Sequence, residues 1–157
     1  MKKLMLLAGL YCLQPNLQAA PHRVNAKYHL APMSASERAQ AHFKENYAWV
    51  KDAGWFNTAE KNLYCVFQQG DIVNRVFYDR SGYWQYTLIS FPSSDLPKNV
   101  KKLVSANFDG YDISYVNEIL SENNEPVYMI NIENGDNIKV IRVSGDDIEV
   151  KHDFNKR

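Results

Sequence analysis

The residues of this chain from which catalysis or metal binding could be built are four histidines, two cysteines and a few acidic turns. Metal ligation needs His, Cys, Asp or Glu at spacings that converge on one ion. His22 and His29 stand near the N-terminus, His42 in a helical pattern and His152 in the last strand-like run, and no HExxH, CxxC or paired-His motif exists. His152 alternates in phase with Ile148, Val150 and Phe154, which predicts a half-buried strand histidine rather than a ligand. Asp79-Arg80-Ser81-Gly82 and Glu133-Asn134-Gly135-Asp136 share letters with calcium loops but lack the full ligand series closing on Glu, so both read as turns.

Nucleophilic catalysis requires a Ser or Cys beside a base and an oxyanion hole. There is no G-x-S-x-G, and Ser34, Ser81, Ser93, Ser94 and Ser144 fall at caps and turns. The 7 glycines are scattered singly, with no GxGxxG or phosphate-binding loop. Cys65 sits in the apolar run Leu63-Tyr64-Cys65-Val66-Phe67 and reads as a buried, inert thiol. These patterns predict no catalytic residue, no metal and no cofactor, and hence a protein that is not an enzyme. A carboxylate pair assembled only on folding is the alternative route to enzymatic activity.

The elements that must position these residues begin after a leader. Lys2 and Lys3 precede the 10-residue apolar stretch Leu4–Leu13, which Gln14-Pro15-Asn16 interrupts before the small residues Ala19 and Ala20. That is the layout of a secretory signal peptide over residues 1–20, with cleavage between 19 and 26. The run is too short to span a bilayer. Cys12 raises the alternative of lipidation, but Tyr11 before it is bulkier than that processing accepts. Export places the protein in the periplasm or outside the cell. With the leader removed Cys65 is the only cysteine, so no internal disulfide is available. The 18 basic residues balance the 18 acidic ones, and Lys98, Lys101 and Lys102 read as a solvated helix face, so nothing here points to nucleic acid.

Beyond the leader one pattern is written twice. Ser34 and Glu37 form a capping box before a helix with Ala39, His42, Phe43 and Tyr47 on one stripe, and strands follow over Leu63–Phe67, Ile72–Tyr78 and Tyr83–Phe91. Ser94 or Asp95 then caps a second helix with Pro97 in its first turn and Val100, Leu103, Val104 and Phe108 on its stripe. Strands follow over Tyr111–Leu120, Val127–Ile132, Ile138–Val143 and Ile148–Phe154. Ser81-Gly82 and Phe91 match Ser144-Gly145 and Phe154 at a constant offset of 63. The expected fold class is α+β: a tandem repeat, residues 34–92 and 94–155, of a helical segment followed by antiparallel strands, with the helices packed on one face of the sheet and the copies forming one compact unit.

The segment Leu96-Pro97-Lys98-Asn99-Val100 through Asn107-Phe108-Asp109-Gly110-Tyr111-Asp112-Ile113, with the strand ending Val140-Ile141-Arg142-Val143-Ser144-Gly145, resembles the PepSY-like, β-lactamase-inhibitor-like family of exported bacterial proteins. Phe77-Tyr78-Asp79-Arg80-Ser81-Gly82-Tyr83-Trp84 resembles the family's strand, Asp-x-x-Gly turn and Trp, and coverage is about residues 34–155. The sequence departs from the family at Ser144-Gly145-Asp146-Asp147 and at Asn107-Phe108-Asp109. The resemblance implies tandem helix-and-sheet repeats, an envelope or extracellular setting, no catalytic site, and recognition of proteins across the sheet surface, with no contact residue transferable.

Aromatic density between Tyr47 and Phe91 supplies the binding candidates. On the run Tyr83–Phe91 alternation puts Trp84, Tyr86 and Leu88 on one side and Tyr83, Gln85, Thr87, Ile89 and Phe91 on the other. Rings on both faces leave one set for a partner, and Trp84, Tyr86, Trp55 and Tyr83 are the candidate partner-binding residues. The leading expectation is an exported binding or inhibitor-like module that recognises a protein or peptide through the sheet face carrying Trp84 and Tyr86. The alternative is a periplasmic small-ligand carrier, with aromatics around Trp55 lining a pocket between the repeats. No motif bears on oligomeric state.

Overall fold

The computed structural model describes residues 33–122 and 124–157. The expected leader, its cleavage window, Cys12, His22 and His29 lie outside the described residues. The chain runs through α1 (Ala35–Asn46), β1 (Gly54–Asn57), β2 (Leu63–Gln69), β3 (Ile72–Tyr78), β4 (Trp84–Phe91), a 3-10 turn (Ser93–Asp95), α2 (Lys98–Asn107), β5 (Asp112–Ser121), β6 (Val127–Glu133), β7 (Asn137–Ser144) and β8 (Asp147–Asn155).

These strands form one antiparallel sheet in the order β1-β2-β3-β4-β5-β6-β7-β8. That corrects the expected α+β tandem repeat. The described residues hold an eight-stranded antiparallel sheet with only two short α-helices, of 12 and 10 residues. The strands pair without a break across the supposed boundary between copies, because β4 and β5 share six registered positions from Tyr86↔Ser121 to Phe91↔Val116. A continuous backbone ladder satisfies the edges that two separate sheets would each have left open.

Local chemistry explains the elements. Ser34 Oγ accepts from the Glu37 amide at 3.2 Å while the Glu37 carboxylate accepts from the Ser34 amide at 2.8 Å, so the capping box starts α1 as the sequence indicates. These bonds hold the Glu37 carboxyl below its usual range. The second start differs from expectation: Ser94 and Asp95 are spent in the 3-10 turn, and α2 begins at Lys98 behind Pro97 without a side-chain cap. Two-residue turns with left-handed Gly70 (φ 59°) and Gly145 (φ 57°) join β2 to β3 and β7 to β8.

Both helices cover the same side of the sheet, which register identifies from the aligned row Cys65↔Val76↔Thr87 and the row Phe91↔Val116↔Ile130↔Ile141. Ala39 and Phe43 of α1 pack on Cys65, Phe67, Val76 and Tyr78. Val100 and Val104 of α2 pack on Val116, Ile130, Ile132, Ile141 and Val143. Burial of this apolar area is the main stabilising term. Cys65 is fully buried, and desolvation pushes its thiol up to about 11, in line with the inert reading. The other side of the sheet carries no helix among the described residues.

Candidate functional site

The open side of the sheet holds the candidate site. In β1 to β4 the residues that alternate with the buried row are Phe56, Tyr64, Phe77 and Tyr86, and the register places them directly opposite one another, strand after strand. Their ring centroids are 5.2, 5.4 and 4.6 Å apart in succession, with interplanar angles of 25°, 17° and 23°. This is close to the strand spacing, so near-parallel rings turn their faces toward one another and make a four-ring ladder across the sheet. Phe56 and Tyr86 at its two ends are 48% and 38% exposed, so the ladder meets solvent.

Beyond Phe77 and Tyr86 the surface dips into an open concavity of about 690 Å³, floored by these rings and Ile119 and walled by Thr58, Glu60 and Asn62. The wall is a fixed loop. Arg80 Nε donates to the Glu60 carbonyl at 2.9 Å, the Asn62 amide donates to Thr58 Oγ1 at 3.2 Å, and Lys61 takes a left-handed φ of 63°. Next to it, Asp79 Oδ1 accepts from the amides of Ser81 (2.8 Å) and Tyr83 (3.0 Å), which closes the β3–β4 turn. Asn134 Oδ1 does the same for Asp136 and Asn137, so both acidic segments form turns. Among the described residues no group of three or more His, Cys, Asp or Glu side chains is placed to hold a metal ion.

The four candidate binding residues are not brought together. Tyr86 lies on the open face, stacked on Phe77. Trp84 lies on the helix side, which corrects the expectation that it shares a face with Tyr86. The pairing of β3 with β4 shifts between Phe77↔Tyr86 and Tyr78↔Trp84, a β-bulge that makes Gln85 the extra residue and reverses the alternation. The Trp84 ring stacks on His42 (5.8 Å, 13°), and its Nε1 donates to Thr87 Oγ1 at 3.1 Å. Trp55 also faces α1, edge-on to Phe43 at 5.5 Å and stacked on Tyr78 at 5.9 Å, so the ring assigned to a carrier pocket is taken up by core contacts. Tyr83 precedes β4 in the turn, 58% exposed, with the Arg38 guanidinium 4.6 Å above its ring.

A second bulge corrects the reading of His152. Val140 pairs with His152 but Ile141 pairs with Val150, leaving Lys151 as the extra residue, so His152 leaves the phase of Ile148 and Val150 and is exposed on the edge strand. Lys98, Lys101 and Lys102 are exposed along α2, as a solvated face should be. Sequence reasoning missed Phe56, Tyr64 and Phe77 as members of a row. The signal was the two-residue turn Gly70-Asp71, which fixes Tyr64 opposite Phe77 once β2 and β3 are read as a hairpin.

No family profile matches this chain, and no curated protein matches its sequence. Solved structures do match in fold. A BLIP-like protein from Bacteroides fragilis superposes with a TM-score of 0.63 at 16% identity, over 80% of this chain and 89% of that one. A DUF2874 family protein from Bacteroides ovatus gives 0.63 at 15% identity, over 75% and 85%. A candidate periplasmic protein from Bacteroides eggerthii gives 0.61 at 15% identity, over 76% and 87%. The chain therefore has a BLIP-like fold. None of these three is described as PepSY-like, so the resemblance read from the sequence holds at the level of the BLIP-like architecture.

Proposed function

We propose that this protein is an exported, non-enzymatic binding module that takes a protein or peptide on the open face of its sheet. The observation that carries the reading is the uncovered ladder of Phe56, Tyr64, Phe77 and Tyr86. Large rings locked by mutual stacking on a rigid sheet present apolar area that costs little entropy to bind. The adjoining concavity offers a recess for a partner's side chain. Export to the periplasm or beyond is supported by the leader pattern of Lys2, Lys3 and Leu4–Leu13, and by a fold neighbour described as a candidate periplasmic protein. Among the described residues, no helix is long and apolar enough to cross a membrane.

The test is a pull-down from envelope extracts with wild-type protein and with Tyr86→Ala and Phe77→Ala/Tyr86→Ala variants, folding being verified by circular dichroism. A partner retained by wild type and lost by the folded variants supports the open face. Equal retention by all three places binding elsewhere. Fractionation of cells producing the full chain tests export, and a product that stays cytoplasmic with residues 1–20 still attached refutes it.

A further inference from the structure

Arg75 stands in the middle of the open face without a carboxylate partner among the described residues. Register sets Val66 and Leu88 on either side of it, and Val73 and Phe77 precede and follow it on the same face of β3. The diagonal positions are Tyr64, Gln68, Tyr86 and Ser90. None of these neighbours is acidic. The contrast is Arg142, on the same face of β7, which has Asp147 at 3.6 Å. Arg75 is half-buried, and its Nη1 donates to Ser90 Oγ at 3.1 Å. Ser90 Oγ in turn donates to Asn117 Oδ1 at 2.7 Å, so the guanidinium is held in place and keeps its remaining N–H donors for another acceptor.

We infer that Arg75 selects the partner: the open face recognises a protein segment in which an Asp or Glu side chain is flanked by an apolar or aromatic residue. The carboxylate seats on the Arg75 guanidinium and the apolar neighbour on the Phe77–Tyr86 end of the ladder. The inference rests on the proposed function of the open face and adds the chemistry of its ligand. An exposed ion pair gains little in water. Here the flanking side chains are Val66, Leu88 and Phe77, and a docked segment excludes solvent from the pair, so Coulomb attraction and charge-assisted hydrogen bonding count for more. A guanidinium already oriented by Ser90 loses little freedom on binding.

The experiment is a selection from a random peptide library displayed with blocked C-termini, run in parallel on wild type, Arg75→Gln and Arg75→Glu. Folding is checked by circular dichroism, and selected peptides are measured by titration. Wild type enriches Asp or Glu next to an apolar or aromatic residue. Arg75→Gln weakens those peptides on the order of tenfold or more. Arg75→Glu replaces the acidic preference with Lys or Arg. Wild-type binders that lose affinity with Tyr86→Ala yet show no acidic preference overturn the role of Arg75 and leave the open face standing. So does an acidic preference that survives both Arg75 variants. A wild-type selection with no binders, or with binders indifferent to Tyr86→Ala, overturns the open-face reading and this inference with it.

Discussion

Replacing Gly82 by alanine measures how closely α1 is seated on the β3–β4 turn. Gly82 has a φ of 81°, and a Cβ built there would overlap the Ala35 carbonyl oxygen and stand 2.7 Å from the Ala35 carbonyl carbon. Both obstacles are backbone, so no rotamer change relieves them. The left-handed conformation costs an L residue about 1–2 kcal/mol. Displacing the first turn of α1 adds about 1–3 kcal/mol, since Arg38 is also tied to the Ser81 carbonyl and lies over Tyr83. The sum is about 2–5 kcal/mol, which for a domain of this size lowers Tm by roughly 6–20 °C. Gly70→Ala and Gly110→Ala are the internal controls, because both glycines have positive φ (59° and 74°) and nothing within 4 Å of a Cβ. They carry only the conformational cost, about 1–2 kcal/mol. Urea and thermal unfolding followed by circular dichroism separate the two contributions by subtraction. If Gly82→Ala is no more destabilising than Gly70→Ala, α1 does not sit against this turn, and the argument for its docking fails.

Three further outcomes follow from the same contacts. Trp84→Ala lowers stability by about 2–4 kcal/mol, since it empties a site between His42 and Thr87, whereas Tyr86→Ala on the open face costs under about 1 kcal/mol; equal losses in urea unfolding would contradict the bulge that separates them. Burial lowers the pKa of His42 from its usual 6.5, with Glu45 opposing weakly, so the unfolded chain binds the proton first; stability is then full above pH 6.5 and falls as pH drops from there through the folded-state pKa, and a His42→Gln variant shows a shallower Tm decline over that interval. Cys65, fully buried with its thiol raised to about 11, stays unlabelled by a thiol reagent at pH 8 in native protein and reacts at the rate of global unfolding, while prompt native labelling would refute its placement under α1.

What could be read from the chain before folding was local. The capping box at Ser34 and Glu37, the apolar stripes of both helices, the glycine turns at Gly70 and Gly145, and seven of the strands each follow from interactions within a few residues. The short edge strand β1 was not legible, since Gly54–Asn57 has too few positions to show a period, and it is defined only by pairing with β2. The role of Ser94 and Asp95 was misread because either could cap a helix, and the 3-10 turn took both.

Facing was the part that sequence left undecided. Strict alternation assigns Trp84 and Tyr86 to one side and His152 to the side of Val150, and a single extra residue in each strand, Gln85 and Lys151, reverses that assignment. A bulge is a property of two paired strands, so it has no signature in either strand alone. The same is true of the continuity of the sheet: the six-position pairing of β4 with β5 joins what reads as two repeats into one meander. The aromatic ladder and the apolar setting of Arg75 between Val66 and Leu88 also exist only once β1 to β4 are in register. Composition and local pattern determine which elements form, because propensity, capping and turn chemistry act over short range. The surface proposed to meet a partner is decided by long-range strand pairing, which sets the side of the sheet on which each ring emerges.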